Sequence, residues 1–341
     1  STMKPIGAYA LALEKNKINW STPLLDAPVR QLEDEKTGEL KDWPANFSKT
    51  YAEDDILVVD ALAQSINTIA VRVGEQAGVG NIYRFMKNSL GVTSLTPEDN
   101  DSGPMILGSQ THGISPYELA GAYMMLGNGG SFTTLHCYTS VQTGYGREIA
   151  APELKTKQVL GTDTAYVMNR LLKNVLYSSV GTASGRYPNS NGMEAFGKTG
   201  TASDEKDLWF VGGTPYYVTA VWWGYDAPYD MTKTLTKQQA KTRTCVMAWK
   251  ALMEQAQADL PYKAFPASSG VVERRYCTQS GLLAGSSCPS TAVGYYRADD
   301  LPDTCTYSHG ASTQAANPAA PAEDAPPQTV IPTDTSNLDT D

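Results

Sequence analysis

Three runs of apolar and aromatic residues stand close together in the chain, separated by short polar segments. They cover 193–197, 208–213 and 216–223, and the last is rich in β-branched and aromatic side chains. The pair Thr214-Pro215 separates the second run from the third, where proline is tolerated because a turn needs no ladder hydrogen bond. The pattern predicts a three-stranded antiparallel meander whose first strand continues through 198–201 and whose free edge can accept an extended peptide.

Apolar residues at helical spacing predict helices outside this sheet. One is expected within 56–77, a second from Ser115 as N-cap and Pro116 in the first turn to about 128–130, and a last long helix over 237–260. The buried face of the first consists of Val58, Leu62, Ile66, Ile69, Ala70 and Val73. The residues that the last helix should pack onto the sheet are Val246, Met247, Trp249, Leu252 and Met253.

Three short polar motifs occur in one order along the chain. They are Ser1-Thr2-Met3-Lys4, Ser65-Ile66-Asn67 and Lys198-Thr199-Gly200-Thr201. The first places a hydroxyl nucleophile and an amine one helical turn apart on one face, so the lysine can take the serine proton. The second supplies a hydroxyl and an amide, and the third a cation, hydroxyls and a glycine that lets a substrate approach the backbone. Together they predict an active-site serine acyltransferase.

Two of these motifs occur a second time in segments that we interpret as turns. Lys36-Thr37-Gly38 lies in the charged stretch 33–39, which has the composition of a solvated turn. Ser203 and Lys206 form a second Ser-x-x-Lys in a polar connection between two apolar strands. Neither segment is expected to carry chemistry.

Composition and charge fit an enzyme and exclude some other classes. The 341 residues are 41% hydrophobic, enough for a sizeable core and one main domain with appendages. The net charge is −9 with no basic cluster, so nucleic acid is not an expected partner. No apolar stretch approaches the roughly 20 residues that span a bilayer, and no signal peptide is recognisable. His112 and His136 lack recognisable partners, so a serine–histidine–aspartate triad is not supported.

The three motifs are those of penicillin-recognising enzymes, and the chain resembles the transpeptidase domain of class A penicillin-binding proteins. The resemblance covers 1–260 and continues more loosely to His309; it includes the segments 107–120 and 207–213. It implies an α/β (α+β) three-layer sandwich in which an antiparallel sheet is flanked by helices. Because the strands that complete this sheet in the family precede the serine motif, the sheet is expected to lack its N-terminal strands.

The resemblance also implies acyl transfer through a covalent intermediate. Ser1 would attack the carbonyl of a peptidoglycan stem peptide that ends in D-Ala-D-Ala, with Lys4 as the base. Burial and the positive charge of Lys198 would both lower the pKa of Lys4 from about 10.4, as a base requires. Ser65 would then relay a proton to the leaving amine, and Asn67 would bind a backbone amide of the substrate.

The substrate's terminal carboxylate is expected at the third motif. Lys198, Thr199 and Thr201 would hold it, with Gly200 also counted as substrate-binding. By analogy with the family, the backbone N–H groups of Ser1 and Thr201 would stabilise the oxyanion, and each such donor typically contributes about 3 to 4 kcal/mol. No cofactor and no catalytic metal are expected.

The chain begins on the proposed nucleophile, so we interpret it as a fragment. The N–H of Ser1 would then be a chain-terminal amine, and we expect this truncated chain to be poorly active. The parent is expected to be a bifunctional glycosyltransferase and transpeptidase anchored at the extracytoplasmic face of the bacterial cell membrane. Its expected partners are peptidoglycan stem peptides, β-lactams and cell-wall synthesis proteins.

Other functions share these motifs and stay open. A D,D-carboxypeptidase or β-lactamase needs an efficient water-activating route, and the Glu-x-x-Leu-Asn loop of class A β-lactamases has no counterpart here. A β-lactam sensor domain would be acylated and would signal without turnover. A structural scaffold with dead motifs is disfavoured because all three motifs are intact.

The composition divides the chain into three expected parts. A transpeptidase domain covers 1–263, a small cysteine-containing appendage 264–310, and a disordered tail rich in Pro, Ala, Thr and Asp 311–341. Cys137 and Cys245 are expected to be single buried thiols.

The other three cysteines, Cys277, Cys288 and Cys305, lie in the appendage with His309, and the spacing of the last two residues permits a metal site. A disulfide plus a spare thiol is the favoured interpretation, because the family works outside the cytoplasm where thiols oxidise. A zinc site and three free thiols are the alternatives.

Overall fold

The structure is a computed structural model that describes residues 1–34, 37–187, 192–202, 205–226 and 243–309. Its α-helices are α1 (Ala10–Glu14), α2 (Val58–Gln64), α3 (Asn67–Ala77), α4 (Val79–Arg84), α5 (Pro116–Gly127), α6 (Thr162–Tyr177) and α7 (Arg243–Ala256). Its strands are β1 (Pro23–Leu25), β2 (Arg30–Glu33), β3 (Leu40–Trp43), β4 (Asp55–Leu57), β5 (Ser131–Thr133), β6 (Val141–Gln142), β7 (Glu148–Ala150), β8 (Thr156–Gln158), β9 (Phe196–Thr201), β10 (Asp207–Gly213), β11 (Val218–Gly224), β12 (Val271–Cys277) and β13 (Thr291–Arg297). Single π-helical turns cover Pro5–Tyr9, Phe85–Ser89 and Gly103–Leu107, and a 3₁₀ turn covers Pro97–Asp99.

The predicted three-stranded meander is confirmed. β10 lies between β9 and β11 and is antiparallel to both. The pair Thr214-Pro215 lies in the turn to β11, which the bond from Thr214 N to Tyr217 O closes at 2.9 Å. β9 is an outer strand of this sheet and carries the whole third motif.

Helices cover both faces of this sheet. On one face the ring of Phe210 packs against Trp249 of α7, with the ring centroids 5.1 Å apart. On the other face Phe196 lies against Gly127 of α5, where a Cβ atom would be 3.4 Å from its ring. Phe196 and Phe210 are in adjacent strands but point to opposite faces, because Phe196 pairs with Gly213 and side chains alternate along β10. The architecture is the expected mixed α/β arrangement of an antiparallel sheet between helices.

The helix expected within 56–77 is interrupted at the second motif. Residues 55–57 form β4, α2 ends at Gln64, and α3 begins at Asn67. Ser65 has a left-handed backbone (φ 62°, ψ 39°), which ends α2 and changes the direction of the chain. The predicted apolar face is buried as expected, except that Ile66 at the break is only half-buried. Helical periodicity identified the buried face and missed the break.

The second predicted helix is confirmed, and the last one is shorter than expected. Ser115 and Glu118 form a reciprocal capping box before α5, which ends at Gly127. In the described residues α7 covers Arg243–Ala256, and 237–242 lie outside them. Val246, Trp249 and Met253 of α7 are buried as predicted. The side chains of Met247 and Leu252 are exposed instead, because they lie off the i, i+3, i+7 face that meets the sheet.

The two duplicate motifs lie in connections, as far as the structure describes them. Gly38 has a φ of +70° in the turn between β2 and β3, and its N–H donates to Asp34 O at 2.8 Å. Lys36 and Ser203 lie outside the described residues, whereas Lys206 is described just before β10. No helix in the described ranges is both long and apolar enough to cross a membrane.

The cysteine-containing segment packs against the helix that follows the first motif. β12 and β13 form an antiparallel hairpin, and Arg297 Nη1 donates to Leu13 O at the end of α1 (2.9 Å). The rings of Trp20 and Tyr295 meet edge to face at 5.2 Å. The division of the chain at 263/264 stays a prediction, and the tail 311–341 lies outside the described residues.

Candidate active site

The first motif lies at the start of a helix that runs through the core. Residues 2–13 are all buried, and helical turns continue from Lys4 through Glu14. The Tyr123 hydroxyl of α5 donates to Thr2 O at 2.6 Å, and the Ser1 nitrogen donates to Leu107 O at 3.0 Å. These contacts fix the backbone of the serine at the edge of the core, where Ser1 itself is half-buried.

The Lys4 side chain extends into the second motif. Its Nζ lies 2.6 Å from Ser65 O, 3.1 Å from Ser65 Oγ and 2.5 Å from Asn67 Oδ1, and the side chain is fully buried. In the described part of the chain, no hydrogen bond joins Ser1 Oγ to Lys4 Nζ. The motif spacing placed the two groups one turn apart, but proton transfer between them stays a prediction.

A buried polar network holds the second motif in position. Asn46 Oδ1 accepts hydrogen bonds from the backbone N–H groups of Asn67 (3.0 Å) and Thr68 (3.4 Å). Asp26 in turn accepts from Asn46 Nδ2 (2.8 Å) and from Thr68 Oγ1 (2.5 Å). The first N–H groups of α3 are thereby satisfied by a side chain from a distant loop. No periodic pattern in the sequence marks Asp26 and Asn46, because loop residues that bond distant backbone have no local pattern.

The third motif brings a second lysine to the same hydroxyl. Lys198 Nζ donates to Ser65 Oγ at 2.7 Å and to Thr199 O at 3.1 Å, and its side chain is fully buried. Thr199 Oγ1 lies 2.7 Å from Thr182 Oγ1, and Thr201 ends β9 half-buried. The motifs are more than 60 residues apart in sequence, yet Lys4 and Lys198 converge on Ser65.

Gly200 allows the third motif to lie against the first. A Cβ atom at this position would be 3.0 Å from Thr2 Cγ2 and 2.9 Å from Trp209 Cβ, tighter than ordinary packing allows. We predicted a glycine that admits a substrate to the backbone. In the structure Thr2 lies against Gly200, so this glycine sets the distance between β9 and the nucleophile, and its contact with a substrate stays a prediction.

Burial lowers the pKa of both lysines. For Lys4 the pKa lies well below its ordinary value of 10.5, through burial first and the charge of Lys198 second. For Lys198 burial lowers the pKa to about 7. No carboxylate in the described residues bonds to Lys4 or Lys198 to oppose these shifts.

Three oxygens surround Lys4 Nζ. Its N–H groups donate to Ser65 O at 2.6 Å, Asn67 Oδ1 at 2.5 Å and Ser65 Oγ at 3.1 Å, which matches the three donors of a charged amine. When Lys4 loses a proton, a lone pair replaces one N–H group and can accept the Ser65 hydroxyl proton. Ser65 Oγ also accepts from Lys198. One hydroxyl therefore links the two lysines.

The remaining sequence expectations for reactive side chains have mixed outcomes. His112 and His136 are exposed, and the described residues contain no triad built on them. Cys245 is buried as predicted, but Cys137 is exposed because it lies in the polar loop after β5. The structure thus concentrates buried polar chemistry at Lys4, Ser65 and Lys198.

Comparison with known proteins gives sequence relatives over most of the chain. A family model described as the penicillin binding protein transpeptidase domain matches residues 1–242. The chain is 30% identical over 323 residues to penicillin-binding protein 1A of Clostridium tetani. That match covers 91% of this chain and 40% of that protein. It is 29% identical over 283 residues to penicillin-binding protein 1A of Clostridium botulinum, and that match covers 83% of this chain and 33% of that protein. The chain therefore spans about a third to two fifths of the length of these relatives.

Solved structures show the same fold at lower identity. The crystal structure of penicillin-binding protein 1A from Haemophilus influenzae matches with a TM-score of 0.72 at 22% identity, covering 90% of this chain and 48% of that one. The structure of PonA1 from Mycobacterium tuberculosis in complex with penicillin V matches with a TM-score of 0.59 at 21% identity. This match covers 79% of this chain and 71% of that one. The expected fold class is confirmed by these similarities.

Proposed function

This chain belongs to the penicillin-binding protein transpeptidase family, and on that premise we propose that it is a serine D,D-transpeptidase that cross-links peptidoglycan stem peptides. The observation that carries the proposal is the convergence of two buried lysines on one hydroxyl, with Nζ–Oγ distances of 3.1 and 2.7 Å. Lysines are rarely fully buried without a charged partner unless their chemistry requires it.

In the acylation step, Ser1 Oγ attacks the carbonyl carbon between the last two residues of the donor stem peptide. Neutral Lys4 takes the Ser1 hydroxyl proton as the new C–O bond forms. When the C–N bond breaks, Ser65 passes a proton to the leaving D-Ala amine and is reprotonated from Lys4. The products are a Ser1 ester and free D-Ala, and each proton is accounted for.

Substrate binding falls to the groups around this proton path. Asn67 binds a backbone amide of the stem peptide, and Lys198, Thr199 and Thr201 hold its terminal carboxylate along the outer strand β9. Gly200 keeps that strand close to the nucleophile. Backbone N–H groups at Ser1 and Thr201 stabilise the oxyanion. A bound carboxylate would favour the charged form of Lys198, which in turn holds Lys4 neutral.

In the transfer step, an amine of a second stem peptide attacks the Ser1 ester and releases Ser1. Hydrolysis instead of transfer would need a base that activates water. No carboxylate in the described residues bonds to Lys4, Ser65 or Lys198, which favours transfer over the rapid deacylation of a β-lactamase. For the same reason we propose that penicillins acylate Ser1 and that the resulting Ser1 ester is hydrolysed slowly.

The proposal extends to the larger protein that the relatives suggest. We propose a bifunctional glycosyltransferase and transpeptidase, anchored at the extracytoplasmic face of a bacterial cell membrane and working with other cell-wall synthesis proteins. It rests on the match to proteins named penicillin-binding protein 1A, of which this chain spans only part.

The test is covalent labelling of the purified protein with a fluorescent penicillin, followed by intact-mass measurement and peptide mapping over hours. We expect one adduct, on Ser1, that is lost in Ser1→Ala and blocked by unlabelled penicillin. Ser203→Ala, in the duplicate Ser-x-x-Lys, is the matched control and should label normally. The rate of labelling is compared as well as its endpoint.

Other outcomes separate the competing functions. Rapid multiple-turnover hydrolysis of penicillin would make the protein a β-lactamase. A stable adduct with no transfer from a stem-peptide ester to an added D-amino acid would favour a sensor domain. Hydrolysis of that ester without transfer would favour a carboxypeptidase, and no adduct in folded protein would mean a scaffold.

A further inference from the structure

Four side chains of the C-terminal segment converge outside the candidate active site. The ligand atoms of Cys277, Cys288, Cys305 and His309 all lie within 4.8 Å of one another. Cys277 and Cys305 are buried, and the other two are half-buried. The four residues are spread over 33 positions of sequence and come from three separate segments: the end of β12, the loop before β13 and the chain after it.

One imidazole nitrogen faces all three sulfurs. His309 Nε2 lies 3.1 Å from Cys305 Sγ, 3.3 Å from Cys277 Sγ and 3.9 Å from Cys288 Sγ. A single ring nitrogen carries either one proton or one lone pair, so it cannot form three hydrogen bonds at once. Hydrogen bonding among the four residues therefore does not explain the convergence.

A tetrahedral zinc ion does explain it. With Zn–S bonds of about 2.3 Å and a Zn–N bond of about 2.0 to 2.1 Å, ligand nitrogen and sulfur atoms are separated by about 3.6 Å. The three observed separations, 3.1, 3.3 and 3.9 Å, lie on both sides of that value. Three thiolates and one imidazole are also a donor set that selects zinc over harder cations.

Two further contacts support thiolates at this place. The backbone N–H of Gly285 donates to Cys288 Sγ at 3.3 Å, and the Ser280 hydroxyl donates to Cys305 Sγ at 3.3 Å. Such donors orient sulfur ligands and stabilise their negative charge. All three cysteines are free thiols in the structure, so the disulfide that the sequence favoured is not present.

We propose that Cys277, Cys288, Cys305 and His309 form a structural Cys₃His zinc site. Each thiol loses its proton to water as the metal binds, and the protein fills all four positions. With no position open for water or substrate, the metal stabilises the fold and takes no part in the acyl transfer. The proposal does not depend on the proposed function.

The site has a defined structural task. The turn after Cys277 contains Gly281, which has a φ of +73° and whose carbonyl accepts a 2.5 Å hydrogen bond from Ser21 Oγ. A Cβ atom on Gly281 would collide with Ser21 O, so the turn packs tightly against the segment that joins α1 to β1. The metal would tie this turn to the chain after β13 and thereby clamp the end of the core helix that starts at Ser1.

The test uses the full chain produced in zinc-supplemented medium. We expect about one zinc per chain by elemental analysis after exhaustive dialysis, and a lower melting temperature after treatment with a strong chelator. Cys305→Ser and His309→Ala should lower the zinc content at least about tenfold at a fixed chelator concentration. Cys137→Ser, which changes the exposed cysteine outside the cluster, should keep about one zinc.

A spectroscopic measurement keeps the test decisive if the ligand variants fail to fold. The wild-type protein loaded with cobalt should show the intense visible absorption of a tetrahedral thiolate complex, and added zinc should abolish it. Reduced thiols without bound metal would overturn the proposal. So would a disulfide between any two of the three cysteines, seen as a mass loss and as resistance to alkylation without reductant.

Discussion

Two groups of buried basic side chains in the described residues have opposite surroundings. In the candidate active site, Lys4 and Lys198 are fully buried and meet only neutral oxygens of the described residues. Between α6 and the start of β9, Arg170 pairs with Glu194 through two hydrogen bonds of 2.8 and 3.2 Å, and Lys173 joins them at 3.1 Å. Arg170 and Glu194 are almost as deeply buried, with 7% and 6% of their side chains exposed.

A neighbouring carboxylate decides in which direction the pKa of a buried basic side chain shifts. Burial alone would raise the pKa of Glu194, but hydrogen bonds and the charge of Arg170 lower it to about 2. Burial would likewise lower the pKa of Arg170, yet Glu194 raises it. No carboxylate in the described residues pairs with Lys198, and burial lowers its pKa to about 7. Equal burial thus produces a charged structural pair in one place and titratable amines in the other.

The largest expected effect is on chemistry at Lys4. Lys4→Met keeps the volume and removes the amine, so penicillin acylation of Ser1 should slow about 10²- to 10⁴-fold, the usual contribution of a general base. The melting temperature should not fall, because a buried amine is replaced by an apolar side chain. Stopped-flow or gel-based labelling gives the rate, and calorimetry gives the stability. Normal acylation by this variant would remove Lys4 from the mechanism.

At Glu194 the expected effect of a substitution is on stability. Glu194→Gln leaves Arg170 buried without its countercharge, which should lower the free energy of unfolding by about 3 to 5 kcal/mol. Denaturant unfolding measures the loss. The exposed pair of Glu153 and Lys155, 3.0 Å apart, provides the control, because Glu153→Gln should cost less than about 1 kcal/mol. Equal losses in the two variants would contradict the assigned role of burial.

A shift in pH dependence is expected at Lys198. Lys4 and Lys198 bind the same Ser65 oxygen, so their nitrogens are less than about 6 Å apart, and losing the neighbouring charge should raise the pKa of Lys4. Lys198→Met should therefore slow acylation and move the rise of the rate to higher pH. Lys36→Met, in the duplicate Lys-Thr-Gly, should do neither. Equal effects of the two substitutions would mean that Lys198-Thr199-Gly200 is not the functional copy of the motif.

The last expected effect is on the pH dependence of stability. Lys198 has a pKa of about 7 when folded and 10.5 as its ordinary value, so the unfolded chain binds more protons between these pH values and stability rises with pH there. Glu194 acts in a lower window, where stability is lost as pH falls from about 4.5 to about 2. Melting curves of Lys198→Met should show a smaller upper rise, because only Lys4 then contributes to it, whereas those of Lys17→Met, an exposed control, should keep the full rise.

The same two regions show what the sequence could reveal. The meander and the position of Lys198 on its first strand followed from apolar runs and turn residues, because strand patterns are local. The motif residues could be named from their order, but the break at Ser65 could not, because helical spacing continues through it. The prediction for α7 was wrong at Met247 and Leu252, although helical spacing alone places both off the face of Val246, Trp249 and Met253.

Contacts between distant segments were beyond prediction. Glu194 occurs in an apolar run, with nothing local to indicate that Arg170 lies beneath it. Asp26 and Asn46 support the second motif from two separate loops, and Gly200 packs against Thr2 of the first motif. Each depends on tertiary packing, which no spacing rule encodes.

The central claim is that burial without a carboxylate keeps the two active-site lysines from holding their protons as ordinary lysines do. Its most direct test is NMR titration of the protein with lysine labelled at the ε carbon, with the two signals assigned by their loss in Lys4→Met and Lys198→Met. We predict that both titrate well below 10.5, that Lys198 titrates at about 7, and that the Lys4 midpoint rises in Lys198→Met. Titration of both lysines near 10.4, as in exposed lysines, would contradict the account.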